Sequence, residues 1–161
     1  LAKLVFGVLM AVVWWMLQAL QWDGEMALGT LYEVKRAVNR AAHAAAQQAD
    51  PEKLELGVIT VEPVLAEEAA YVYLRDNLRL DAQLQPLPGS VLRDGVKIRH
   101  FAVIGDEVSF PYTFRLEELN YEVTFYRPGV VLVVEAAYPR LFGVLAPVEW
   151  TVKGAAEMVY A

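Results

Sequence analysis

This sequence predicts an α+β fold: a long N-terminal helix, hydrophobic and then amphipathic, carrying a small antiparallel β-rich C-terminal head that contains one short helix. Three observations predict it. Residues 1–22, LAKLVFGVLMAVVWWMLQALQW, hold a single charge, Lys3, and are apolar on every side of a helix. From Asp23 the helical pattern runs on, alanine-rich and amphipathic, to Asp50-Pro51. Beyond Gly95 the chain changes to short runs of Val, Tyr, Phe and Ile bounded by Gly, Pro, Asp and Asn, the composition of strands and their turns.

The first 22 residues would rise roughly 30 Å as a helix, the thickness of a bilayer's hydrocarbon core. Trp22 falls where such a segment meets water, a favoured place for an amphipathic ring, and Trp14-Trp15 reads as packing bulk. In residues 23–50 the apolar positions Ala27, Leu31, Val34, Val38, Ala41, Ala42 and Ala45 recur at three- and four-residue intervals, with Glu33, Lys35, Arg36, Asn39 and Arg40 between them. That spacing gives one apolar, small-residue face. Leu31, Val34, Val38, Ala41 and Ala45 are therefore expected to pack the helix onto the head. Gly24 and Gly29 each weaken a helix by up to about 1 kcal/mol relative to Ala, so a bend or local unwinding is expected there. Asp50-Pro51 is the expected stop, because the residue before a proline is pushed out of helical geometry. The unbroken rod would be on the order of 70 Å long.

Residues 51–161 form the expected head. LELGVITVEP reads as a first short strand. Pro63 opens a helix placed at 63–79, with acidic residues in its opening turn and basic ones near its end, as the helix dipole favours. QPLPGSVLRDG reads as a loop. VKIRHFAVIG, EVSFPYTF, NYEVTFYRPG, VVLVVEAAY and VEWTVKGAAEMVY read as strands, with RPG at 127–129 as a hairpin turn, in one antiparallel sheet of four to six strands. Tyr121, Val123 and Phe125 alternate with Glu122, Thr124 and Tyr126, the pattern of a half-buried strand.

The 161 residues have room for the rod and one domain of about a hundred residues. The hydrophobic share is 57% and the net charge −6; residues 51–161 hold 16 acidic against 10 basic side chains. An acidic outer part argues against a nucleic-acid partner. The absence of cysteine removes disulfides, thiolate metal sites and a cysteine nucleophile. Opening on Leu1 rather than Met fits a leader cut away upstream of the hydrophobic stretch.

Chemistry is sparse. His43 and His100 are the only histidines, and Ser90 and Ser109 the only serines, neither in a G-x-S-x-G elbow. The carboxylate pairs Glu67-Glu68, Asp106-Glu107 and Glu117-Glu118 lack the spacing of a calcium loop and read as solvated surface. No glycine-rich phosphate loop occurs. The expectation is a protein without catalytic residues, bound metal or cofactor.

The hydrophobic helix with its expected processing, its alanine-rich continuation and the small β-rich head together resemble subunits of the type IV pilus superfamily, most of all its tight-adherence and archaeal-like branch. VKRAVNRAAHAAAQQAD resembles the exposed half of the helix in TadE- and TadG-like pseudopilins. VVLVVEAAYPRLFGVLAPVEWTVKGAAEMV resembles their closing strand pair. The resemblance implies a structural subunit stored in the cell membrane and polymerised by an assembly machinery into an extracellular filament of identical copies. Leu4, Val5, Val8, Leu9, Val12, Trp15, Met16, Ala19 and Leu20 would then pack the filament core. Many pilins carry a glutamate at the fifth mature position that pairs with a neighbour's amino terminus; Val5 stands there in this chain, so register would rest on hydrophobic packing. The competing expectation is a single-pass anchored ectodomain that binds or scaffolds without polymerising.

Overall fold

The computed structural model describes residues 1–138, 140 and 146–160. Helix α1 runs from Ala2 to Ala46, an uninterrupted α-helix of 45 residues. It does not unwind at Gly24 or Gly29. It also ends before Asp50-Pro51, because the chain beyond it is drawn into other pairings. The amide of Asp50 donates to the Thr60 carbonyl at 3.0 Å and that of Glu62 to the Gln48 carbonyl at 2.8 Å, which pulls residues 48–50 out of helical register. Asp50-Pro51 instead begins helix α2 (Pro51–Glu55): the Asp50 carboxylate accepts the amides of Glu52 and Lys53, and Pro51 takes the first turn.

That short helix consumes the start of the expected first strand. Leu54 and Glu55 are helical, Gly57 turns at a φ of +80°, and what is left forms one isolated bridge, Ala49 to Val61. Helix α3 (Pro63–Leu78) lies where expected, but its first turn, opened by Pro63, holds no acid, and Glu67 and Glu68 come one turn later. The Glu62 carboxylate accepts the Leu65 amide at its start, and Arg79 closes it in the left-handed conformation. The following loop is tied down by Ser90, whose hydroxyl donates to the Leu78 carbonyl at 2.6 Å, and it sends Leu80, Leu84, Leu92 and Val96 into the core.

Among the described residues five strands follow: β1 (Lys97–Ile104), β2 (Tyr112–Leu116), β3 (Tyr121–Phe125), β4 (Gly129–Tyr138) and β5 (Val148–Glu157). They form two sheets rather than one. β1, β4 and β5 make an antiparallel sheet with β4 central, and β2 pairs with β3 alone. The RPG segment is accordingly a corner between sheets and not a hairpin. The Pro128 carbonyl accepts the Met158 amide at 2.7 Å, and Glu157 accepts the Tyr126 amide at 2.6 Å, so the end of β5 holds that corner. The β4–β5 connection quoted for the resemblance includes Pro139 and residues 141–145, which lie outside the described residues.

The layering follows from the sequence of β4, GVVLVVEAAY. A strand with no polar alternation must be covered on both faces. Val130, Leu132 and Val134 face a core built with α1 and α3, whereas Val131 and Val133 face Phe125, Ile104 and the β2–β3 hairpin. The head thus has three layers: helices, the three-stranded sheet, and the hairpin. The hairpin's outer surface is polar, with Arg115 and Glu122 paired at 2.9 Å and the Thr113 and Thr124 hydroxyls 3.0 Å apart.

Helix α1 sits on the sheet by close approach. Glycine weakens a strand interior unless another backbone comes near. A β-carbon at Gly154 would lie 2.9 Å from Val38 Cγ1 and 3.3 Å from the Val38 carbonyl. Gly154→Val should therefore push the helix off β5 and cost about 1–3 kcal/mol, the usual penalty for overpacking, read as a lower midpoint in chemical denaturation of the full chain in detergent.

Candidate functional site

Two kinds of surface share α1. Val34, Val38, Ala41 and Ala45, expected to pack onto the head, are each fully buried, and Leu31 is half-buried at the edge of the same core. Small side chains at Ala41, Ala42, Ala45 and Ala46 let α1 meet Ala66 and Ala70 of α3 closely. The other expected set lies uncovered. Leu4, Val5, Val8, Leu9, Val12, Trp15 and Met16 are exposed on all sides, and Ala19 and Leu20 are half-buried. Among the described residues α1 is the one helix long and apolar enough to cross a membrane, and its apolar window has no part buried in the head.

The uncovered apolar surface extends past the first charges. Asp23 and Glu25 mark where a membrane span would end, yet Met26, Leu28 and Tyr32 beyond them are 50%, 55% and 62% exposed. From Leu4 to Tyr32 a helix rises about 42 Å, roughly 12 Å more than a bilayer's hydrocarbon core.

At the junction of the two halves sits a buried carboxylate that residue types alone did not single out. Asp23 is 2% exposed; Arg140 Nη1 donates to it at 3.1 Å, and the Tyr138 hydroxyl lies 3.4 Å away. The Arg140 Nε also donates to the Ala146 carbonyl at 3.1 Å, and the Tyr138 ring stacks on Trp150 with centroids 6.1 Å apart. This cluster staples the base of the β4–β5 pair to α1. Its signal was in the spacing: Asp23 stands four residues before Ala27 and so continues the buried face of Ala27, Thr30 and Val34.

Asp23→Ala should cost about 2 kcal/mol in denaturation of the full chain, below the roughly 3–5 kcal/mol of a wholly buried pair, because Arg140 keeps a fifth of its side chain in water. Burial, reinforced by the Asp23 charge, raises the Tyr138 phenol above its ordinary value of 10.0. The folded state then holds that proton more tightly than the unfolded one. Stability is complete below pH 10 and falls as pH rises through and beyond it, which denaturation midpoints across that range would show.

The residues weighed for chemistry do other things. Lys53 pairs with Asp106 at 2.6 Å in an exposed bridge that holds Asp106 below and Lys53 above their ordinary values. Glu107 accepts the Gly105 amide, and the Glu67-Glu68 and Glu117-Glu118 pairs are exposed. His43 is exposed, while His100 lies against Phe114, ring centroids 5.6 Å apart. An open cleft of about 400 Å³ beside β4 is lined by Asp94, Lys97, Glu135 and Glu149, with no histidine, serine or cysteine. No group of three or more metal-ligating side chains occurs among the described residues. No protein-family model, curated protein or solved structure matches the chain.

Proposed function

We propose that this chain is a pilin-like structural subunit, held in a membrane by the apolar half of α1 and then polymerised, with an assembly machinery, into an extracellular helical filament of identical copies. The role is mechanical rather than catalytic and calls for neither cofactor nor nucleic acid. The observation that carries this reading is the apolar surface of α1 that outruns a bilayer's hydrocarbon core. The roughly 30 Å hydrocarbon core of a bilayer takes up about twenty residues of an anchored monomer and leaves Met26, Leu28 and Tyr32, which the head does not cover either, outside it. Neighbouring copies in a bundle cover both stretches.

Each apolar side chain buried in such a bundle contributes on the order of 1.5–3 kcal/mol, so several neighbours hold the polymer without covalent links. A head-to-tail contact whose rotation does not close gives an open helix. Negative-stain electron microscopy after detergent removal tests the proposal. Helical filaments containing this chain are expected. Material that stays monomeric and never acquires helical order, while the head remains folded, would overturn it in favour of an anchored ectodomain.

A further inference from the structure

Lys3 raises a problem that the apolar half cannot solve by itself. In a membrane its ammonium reaches the water interface along its flexible stem. In a helical bundle the same group is surrounded by apolar neighbours, where an uncompensated charge is costly and an acidic partner is required. Among the described residues Lys3 forms no ion pair.

The acids on the same helix narrow the choice. Asp23 is buried against Arg140, and Glu33 is paired with Arg36 at 3.0 Å. Glu25 is exposed, meets no cation among the described residues, and accepts only the Gln21 side-chain amide, at 3.2 Å. We propose, resting on the filament reading above, that Lys3 of one copy pairs with Glu25 of a second copy and thereby sets the axial stagger between them.

The apolar surfaces agree with that register. A 22-residue offset between parallel helices is about 33 Å along the axis. It lays residues 4–10 of one copy beside residues 26–32 of the other. Phe6 and Met10, exposed on the same helix face as Lys3, then meet Leu28 and Tyr32, which share the face of Glu25 and lie in the stretch that neither the head nor a bilayer's hydrocarbon core covers. One offset therefore both neutralises Lys3 and removes the surplus apolar surface from water.

The absence of cysteine makes the test clean. In Lys3→Cys/Glu25→Cys both charges leave together, so no unmatched charge is created, and the two thiols of one chain are too far apart along a helix to be bridged. A short bis-maleimide should convert filaments of this double variant into a covalent ladder, and filaments of either single variant into none. Lys3→Glu and Glu25→Lys should each lower the sedimentable polymer about tenfold, and Lys3→Glu/Glu25→Lys should restore it. Filaments that give no ladder, or a double reversal as poor as the singles, would overturn the pairing and leave the polymer standing. A parent chain that forms no filaments, together with a double-cysteine variant that gives no cross-linked species, would overturn both.

Discussion

Val38→Asp should detach the head from the rod and unfold it. Val38 is fully buried between α1 and β5, with its Cγ1 over Gly154, and Lys35, one turn earlier on α1, has its ammonium engaged at the rim of that contact by the Lys153 carbonyl at 2.6 Å. A carboxylate there must be dehydrated without a partner or take up a proton; either route costs several kcal/mol, a large share of the roughly 5–15 kcal/mol that holds an ordinary domain together. The expected result is loss of cooperative unfolding and protease sensitivity throughout residues 51–160, with helical signal persisting from the apolar half in detergent. A cooperative transition within about 1 kcal/mol of the parent would show that the α1–β5 contact is not the seam of the head.

The same chemical change at Val8 should have the opposite distribution of effects. Val8 is more than half exposed and touches no part of the head, so Val8→Asp leaves the unfolding midpoint of the head unchanged. Its cost falls on whatever surrounds the apolar half. At about 3 kcal/mol for an aspartate at the centre of a membrane span, the equilibrium shifts by roughly a hundredfold. Sedimentation after detergent removal should find polymer reduced by at least that order. Undiminished polymer from Val8→Asp would place Val8 outside the packed core of the filament.

The two substitutions differ because one helix carries two unlike surfaces, and that division was legible in the sequence. The apolar run ending at Trp22, and the three- and four-residue spacing of Val34, Val38, Ala41 and Ala45, locate both surfaces before any coordinates. Helix α3 and the five strands were legible for the same reason: each has a period or a composition that its own residues reveal.

What escaped was set by partners distant in sequence. The alternation of Tyr121, Val123 and Phe125 indicates a half-buried strand, but nothing local says that β2 alone is its neighbour and that β4 belongs to a different layer. RPG has the composition of a hairpin turn, and only the pairing of β4 with β1 and β5 makes it a corner. LELGVITVEP is rich in β-formers, yet Asp50 and Pro51 act first and start a helix. Asp23 stands in the sequence only as the first residue of the amphipathic half. Its burial depends on Arg140, 117 residues away.

The unbroken course of α1 also bears on how force would travel through the proposed filament. Because one backbone hydrogen-bond ladder joins the apolar half to the head, a pull along the axis is borne in series by the helix and is not handed to a flexible linker. The mechanical weak point is then the stretch around Gly24 and Gly29, where nothing lies within 4 Å of either missing β-carbon. The Asp23–Arg140 ion pair lies beside that stretch, as a cross-brace where the rod would otherwise stretch first.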